Sequence, residues 1–363
     1  MRLMLTTDTV GGVWTFTKEL STELLYRGHQ VCLVSFGRAP SIDQEREAAE
    51  LRRAYGSHFD YRWSDAPLEW MQNNATAYSD GAALLLALDA MFAPDGCIFS
   101  QFCFGALPID TPKIVVAHSD VVSWAAACNE NLDEDSAWMR VYRDLVFRGL
   151  QDADAVVSPT ATYLQTLQSF FPHLTPLRAV VANGRTISPQ PANERKLQAV
   201  TAGRMWDKAK NLSLLQDCAL PIPLVVAGEL ADIPPAANGA LQAVGQLNEE
   251  QLLRLFRESA VYVCTSVYEP FGMAPLEAAL CGCAIVAMDL PTLREVWGEA
   301  ALYFHDAASL SRVSLDLRDD AVKLKQYQAL SRARADRYTA SRMADGYIDL
   351  LTSLNNKQEA YAA

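Results

Sequence analysis

Two glutamates, Glu269 and Glu277, stand eight positions apart in TSVYEPFGMAPLEAALCGCAIV (265–286). An ionised carboxylate only accepts hydrogen bonds, so the pair suits a ligand rich in hydroxyls. At this spacing the two can reach opposite ends of one elongated ligand. Pro275 fits the first turn of a helix, where its missing N–H costs nothing. Such a helix would offer the N–H groups of Gly272, Met273 and Ala274 to an anion or a hydroxyl. A second set of groups lies in TAGRMWDKAKNLSLL (201–215), where Arg204, Lys208 and Lys210 fall close together. A guanidinium fork and a compact ammonium suit a diphosphate, and a charged surface turn is the plain alternative. A third set is Asp8-Thr9-Val10-Gly11-Gly12-Val13. Its glycines let backbone approach a ligand closely, or they simply make a tight turn. His118 ends the apolar run KIVVAH (113–118). Asp120, two residues on, either meets a ligand hydroxyl or caps the next segment.

These residues must be positioned by an α/β framework. RLMLTT (2–7), VCLVSF (31–36), CIFSQ (97–101), KIVVAH (113–118) and AVVSP (155–159) read as strands. Helical patterns lie between them. Residues 13–27 place Val13, Phe16, Leu20 and Leu24 on one face, and residues 43–56 and 136–150 read as further helices. Continuous apolar strands alternating with helices predict a parallel sheet covered on both faces. TISPQPANERK (186–196), with two prolines and little apolar content, reads as a linker or surface loop. The alternation then restarts with LQAVTAG (197–203), PLVVAG (223–228), VYVCTS (261–266), AIVAM (284–288) and ALYFH (301–305). Two similar α/β domains in tandem are predicted. In such sheets ligands bind beyond the carboxyl ends of the strands, which is where all the groups above fall.

Composition narrows the function. The 363 residues carry a net charge of −12, with 13 Lys/Arg against 22 Asp/Glu up to residue 180 and 18 against 21 after it. Neither half is basic, which argues against nucleic acid as a partner, and the acidic first half argues against an anionic membrane. No apolar run approaches the length of a membrane span, and MRLMLTTD does not read as a signal peptide, so a cytoplasmic protein is expected. The eight cysteines mostly sit in apolar runs and read as buried thiols. Cys281-Gly-Cys283 lacks the spacing of a zinc or redox pair, and Asp133-Glu134-Asp135 reads as a solvated loop before a helix. No metal site is therefore expected. Neither GxGxxG nor GxxxxGK[ST] occurs, which disfavours a dinucleotide cofactor and excludes a P-loop. The basic residues of the tail, Lys323, Lys325, Arg332, Arg334 and Arg337, read as a solvated face.

Glu269, seven intervening residues and Glu277, with PFGMAPLEA between, closely resemble the EX7E signature of retaining glycosyltransferases of family 4. GGV (11–13), AHSD (117–120), Asn183-Gly184, GRMWDKAKN (203–211) and LPTLREVWGEAALYF (290–304) are similar to the family's landmarks, in the same order. The resemblance implies a GT-B fold: two Rossmann-like domains facing across a cleft, with a C-terminal helix crossing back to the N-terminal domain. Residues 1–182 would bind the acceptor, residues 183–340 the nucleotide sugar, and residues 341–363 would form the returning helix. By the same resemblance, Glu277 would hold the ribose and Glu269 the donor sugar. The backbone of Pro270, Phe271, Gly272, Met273 and Ala274 would assist. Arg204 and Lys210 would grip the diphosphate. Lys208 is a rival, because the Arg204–Lys210 spacing is one residue longer than the commonest family pattern. Gly11 and Gly12 would lie against phosphate or sugar, His118 near the reacting carbon, and the backbone of Gln246 and Leu247 around the base.

The activity so implied is transfer of a hexose from a nucleotide diphosphate sugar to an acceptor hydroxyl with retention of configuration, without a metal or other cofactor. The acceptor would be a sugar, a glycolipid or a small molecule, in polysaccharide or glycoconjugate synthesis. UDP-glucose is the favoured donor on family frequency, ahead of other UDP-hexoses and GDP-mannose. Acceptor loops are expected around residues 60–80 and 119–135. The rivals are a GT-B-fold sugar nucleotide epimerase, which would need no acceptor, and a non-catalytic sugar-nucleotide binding protein.

Overall fold

In a computed structural model, residues 1–172, 176–188, 195–218, 220–229 and 241–362 are described, without the side chains of residues 216–217 and 357–362. The chain divides into two units. The first comprises residues 1–125, 130–184 and 340–363, and the second residues 126–129 and 185–339. Each unit is built on one parallel sheet.

The first sheet begins with β1 (Arg2–Asp8), α1 (Gly12–Tyr26), β2 (Gln30–Phe36), α2 (Ile42–Tyr55) and β3 (Phe59–Ser64). It continues through α3 (Ala77–Phe92), β4 (Gly96–Phe99), β5 (Lys113–Val116), α4 (Val121–Ala127), α5 (Ala137–Asp152), β6 (Ala155–Ser158), α6 (Ala161–Phe170) and β7 (Leu177–Val180). The strand order is β3-β2-β1-β4-β5-β6-β7. Leu3 and Leu5 of β1 are buried against Phe16, Leu20 and Leu24 of α1, the face that the helical spacing predicts. Val13, on the same stripe, is only partly buried.

The second unit runs β8 (Lys196–Ala202), α7 (Leu212–Asp217), β9 (Leu224–Ala227), β10 (Leu241–Gly245), α8 (Glu249–Glu258), β11 (Ser259–Cys264) and α9 (Met273–Leu280). It then runs β12 (Ala284–Met288), α10 (Pro291–Trp297), β13 (Ala301–Phe304), α11 (Ala307–Asp319) and α12 (Ala321–Ala335). Its order is β10-β9-β8-β11-β12-β13. Val226, Val261, Val263, Val286 and Phe304 form its core with Leu310 and Leu317 of α11. Truncating one such leucine to alanine costs roughly 2–5 kcal/mol.

The last helix, α13 (Ala340–Ala362), belongs to the first unit. Its Met343, Tyr347, Leu350, Leu351 and Leu354 join that unit's core. Tyr347 packs edge-on against Phe16, with ring centroids 6.0 Å apart.

Two readings of the sequence are revised here. β3 and β10 carry no continuous apolar run and were not foreseen. Both are edge strands with partly exposed faces, and β3 alternates Asp60 and Arg62 with Tyr61 and Trp63. Edge strands tolerate such polar patterns because one side is left to solvent. The basic tail is not wholly a solvated face. Arg332 donates to Leu280 O, and Arg334 donates to Val296 O at 2.6 Å and Glu295 O at 2.8 Å. The last carbonyls of α9 and α10 have no partner within their own helices, and these arginines satisfy them. Of the linker reading at 186–196, residues 189–194 lie outside the described residues, residues 186–188 and 195 carry no helix or strand, and Lys196 already opens β8.

Six of the eight cysteines are buried, Cys281 and Cys283 among them. Burial pushes the Cys281 thiol up to about 11. No helix among the described residues is long and apolar enough to cross a membrane.

Candidate active site

Each sheet reverses its strand order once, between β1 and β4 in the first and between β8 and β11 in the second. At such a reversal the loops leave toward opposite faces and open a crevice beyond the strand ends. The chemistry-bearing motifs fall on these loops.

In the second unit, β8 ends at Ala202 and the chain turns through Gly203, whose φ is +154°. A Cβ at Gly203 would stand 3.2 Å from Lys210 Cε, so glycine makes room for the lysine stem. Asp207 accepts a hydrogen bond from Ala209 N at 2.9 Å and winds Lys208–Lys210 into a single 3₁₀ turn. Thr265 Oγ1 then donates to Lys210 O at 2.6 Å, and Val267 N donates to Ala209 O at 2.8 Å. These bonds tie the loop after β8 to the loop after β11.

The result is an ion pair. Lys210 Nζ lies 2.6 Å from Glu269 Oε2, and Ser266 Oγ donates to the same oxygen at 3.1 Å. Burial opposes the Lys210 charge, but Glu269 beside it, with Cys264, outweighs burial and raises the lysine above its ordinary range. Lys210 is therefore a cation at any neutral pH. Arg204 pairs with Asp207 at 3.1 Å, and its guanidinium lies 5.6 Å from the Trp206 ring. Its side chain is still 43% exposed and open to an anion. Lys208 is exposed, whereas Lys210 is turned inward to Glu269.

Beyond Glu269 the loop runs through Pro270, Phe271 and Gly272, all buried. Phe271 packs edge-on against Tyr338, with centroids 5.4 Å apart. Gly272 caps α9 at φ +93°, a left-handed conformation that favours glycine, and a Cβ there would meet Pro275 Cγ at 2.8 Å. Met273 and Ala274 open the helix, so their N–H groups have no helical acceptor and carry its partial positive charge. Glu277 is the fifth residue of α9.

Glu277 is not alone. Arg185 Nε donates to Glu277 Oε1 at 3.0 Å, and Arg185 Nη2 donates to Glu249 Oε1 at 2.7 Å. Glu249 opens α8, which is held by a capping box of Asn248 and Gln251. Gln246 and Leu247 lie in the short connection between β10 and α8. Sequence reading missed Arg185 and Glu249. The one available signal was an arginine directly after the Asn183-Gly184 landmark.

In the first unit, Asp8 Oδ1 accepts a bond from Val10 N at 2.7 Å and bends the chain after β1. Gly11 caps α1 at φ +70°, and Gly11 and Gly12 are both exposed. His118 lies two residues beyond β5 rather than at its last position. Its Nε2 is 3.2 Å from Ser100 Oγ, in the loop after β4, and its ring lies against Phe16 at 4.5 Å. Burial pulls its pKa down to about 3, so the imidazole is neutral. Asp120 accepts bonds from Ser123 N at 2.8 Å, Ser123 Oγ at 2.5 Å and Tyr163 OH at 2.9 Å. It acts as the cap of α4. Glu69 was also missed. It is fully enclosed, accepts a bond from Phe102 N at 2.8 Å, and is pushed up to about 7 by burial. The acidic run 133–135 precedes α5, where Ser136 supplies the cap and Glu134 pairs with Arg143. Among the described residues, no three His, Cys, Asp or Glu side chains gather as they would around a metal ion.

Known proteins resemble this chain in part of its sequence and in its fold. Residues 236–330 match the family model described as glycosyl transferases group 1. The serotype-specific mannosyltransferase WbdA of Escherichia coli is 28% identical over 130 residues, which is 34% of this chain and 16% of that protein. The chain thus spans only about a sixth of that relative. Sucrose-phosphate synthase from Thermosynechococcus elongatus superposes with a TM-score of 0.74 at 17% identity, over 100% of both chains. The fold is GT-B. HepE of Anabaena, solved in complex with UDP and glucose, gives a TM-score of 0.70 at 15% identity, over 97% of this chain and 99% of that one. At these identities the structural likeness is one of fold, and the family match covers residues 236–330, within the second unit. That segment contains Glu249, Glu269 and Glu277 together with the whole of α9.

Proposed function

We propose that this protein is a retaining glycosyltransferase that moves a hexose from a nucleotide diphosphate sugar to an acceptor hydroxyl. The observation that carries the reading is the joining of the loops after β8 and β11, which puts Lys210 2.6 Å from Glu269, near the amino end of α9. In this reading the leaving diphosphate takes up negative charge as the anomeric carbon turns cationic. Lys210 and Arg204 meet that charge, and the first N–H groups of α9 add to it. Fixed cations and dipoles need no reorganisation during the step, so they lower the barrier. This arrangement does the work of a metal, so none is required. Glu269 accepts hydrogen bonds from the donor sugar and Glu277 from the ribose. His118 is neutral, so it can exchange hydrogen bonds with a sugar hydroxyl but adds no charge near the reacting carbon. The diphosphate itself assists removal of the acceptor proton on the same face.

UDP-glucose remains our first choice of donor. HepE, a neighbour in fold, is solved with UDP and glucose, which supports a uridine nucleotide. The mannosyltransferase among the relatives makes GDP-mannose the competitor. We place the protein in the cytoplasm, in polysaccharide or glycoconjugate synthesis, with a sugar, glycolipid or small-molecule acceptor. The alternatives are an epimerase of the same fold and a silent binding protein.

Calorimetric titration with UDP, UDP-glucose, GDP and GDP-mannose in EDTA tests the reading, with wild type and Glu277→Ala compared. One nucleotide is expected to bind wild type without metal and to bind the variant at least tenfold more weakly. A folded wild type that binds none of the four overturns the reading. A changed sugar nucleotide recovered from donor alone would point to the epimerase.

A further inference from the structure

We propose that Arg185 is a positioning residue that sets the carboxylate of Glu277 for the ribose hydroxyls, with Glu249 as its second anchor. The inference rests on the nucleotide-sugar reading above and adds a residue to it.

Arg185 is the first residue of the second unit after residue 184, and its side chain is only 2% exposed. A buried guanidinium is costly unless it is paired and hydrogen-bonded. Here it is both. It donates through Nε to Glu277 Oε1 at 3.0 Å and through Nη2 to Glu249 Oε1 at 2.7 Å. The two bonds use different edges of one rigid, planar group, so they fix its plane as well as its position. The backbone is held too: Arg185 N donates to Tyr338 O at 3.0 Å. Tyr338 in turn packs on Phe271 of the donor loop.

The two acids differ in a way that assigns the direction of the effect. The Glu277 side chain is 11% exposed, whereas that of Glu249 is 42% exposed. Glu249 can satisfy itself with water; Glu277 depends on its neighbours. Glu277 sits midway along α9, and a glutamate there has three rotatable bonds to settle. Its Oε1 is held by Arg185, so the arginine fixes the rotamer in which the carboxylate meets a ligand. Removing Arg185 takes this bond away from a carboxylate that is only 11% exposed and weakens the hold on its rotamer.

A ligand–variant cycle tests this. Wild type, Glu277→Gln, Arg185→Gln and Arg185→Lys are titrated with UDP (or GDP, whichever wild type binds) and with its 2′,3′-dideoxy analogue. Circular dichroism establishes that each variant is folded. In wild type, loss of the two hydroxyls is expected to weaken binding about tenfold or more, as for hydrogen bonds to a charged group. In Glu277→Gln that penalty shrinks to a few-fold. Arg185→Gln is expected to shrink it to the same degree, although Arg185 bears no ribose contact in this scheme, and Arg185→Lys to restore part of it. A general loosening of the unit would weaken both ligands alike and leave the ratio unchanged, so a wild-type ratio in both Arg185 variants overturns the proposal. If Arg185→Gln does not fold, Arg185→Lys decides: a ratio equal to wild type overturns the proposal, and a reduced one supports it. A wild type that binds neither nucleotide overturns the nucleotide-sugar reading itself, whereas an intact ratio in the variants overturns only the role of Arg185.

Discussion

The switch points of the two sheets are alike in topology and opposite in electrostatics. In the second unit, between β8 and β11, formal charges are brought together: Lys210 with Glu269, Arg204 with Asp207, Arg185 with Glu277 and Glu249. In the first unit, between β1 and β4, the groups are chiefly tied to backbone and hydroxyls. His118 meets Ser100, Asp8 holds Val10 N, and Glu69 holds Phe102 N. One frame thus supports two kinds of site. The second suits a strongly charged ligand such as a nucleotide diphosphate. The first suits a ligand that offers and accepts hydrogen bonds without charge, as a hydroxylated acceptor would.

The sharpest way to break this contrast is to remove a cation from the second unit. Lys210→Met is expected to lower transfer by roughly 10²–10³-fold, the usual cost of one group that stabilises developing charge. His118→Asn should cost far less in nucleotide affinity. Titration with the nucleotide and initial rates on both variants make the comparison. Equal losses in diphosphate binding would erase the distinction between the two switch points.

Two pH experiments of opposite sign test the neutral character of the first unit. His118 has a folded pKa near 3 against an ordinary 6.5, so the unfolded chain takes up its proton first as pH falls. Stability contributed by the neutral imidazole is complete above pH 6.5 and is lost as pH drops toward 3. Between pH 6.5 and 4 that amounts to about 3 kcal/mol. The thermal midpoint of wild type should fall more steeply over this range than that of His118→Asn. Glu69 behaves the other way. Its folded pKa is near 7 against an ordinary 4.5, so the folded state keeps the proton that the unfolded chain loses. Stability declines as pH rises from 4.5 through 7, by about 3 kcal/mol at most. Glu69→Gln has no such proton to lose, so its stability relative to wild type should improve between pH 5 and pH 8. Parallel midpoint curves for variant and wild type would put Glu69 in a hydrated or ion-paired setting instead.

The smallest effect concerns backbone. Gly272→Ala places a Cβ at φ +93° and 2.8 Å from Pro275 Cγ. A cost of about 1–3 kcal/mol is expected from the strained conformation. Because Gly272 caps α9, nucleotide affinity should fall with it. Unchanged binding in the folded variant would separate the helix start from the site.

How much of this was legible beforehand depends on the range over which each feature is decided. The central strands announced themselves as apolar runs, because a strand covered on both faces has no polar side. The edge strands β3 and β10 had no such run. The loops that carry Glu269, Lys210 and His118 were legible because ligand loops follow strands in any parallel sheet. Pro275 falls in the first turn of α9, at its third position, where its missing N–H costs nothing.

The sequence by itself determined what is local: the apolar periodicity that makes each element, the glycine that permits a left-handed cap before α9, and the charges set on the loops after β8 and β11. Only the tertiary structure decided which charges meet. Lys210 and Glu269 are 59 residues apart in the chain, Arg185 and Glu249 64, and Arg185 and Glu277 92. Spacing could not say whether Lys208 or Lys210 turns toward Glu269, because that rests on a 3₁₀ turn pinned by Asp207 and Thr265. Nor could it assign a neutral His118 or the pairing of Arg185. Protonation and ion pairing depend on burial and on neighbours across the sheet, and those exist only once the chain has folded.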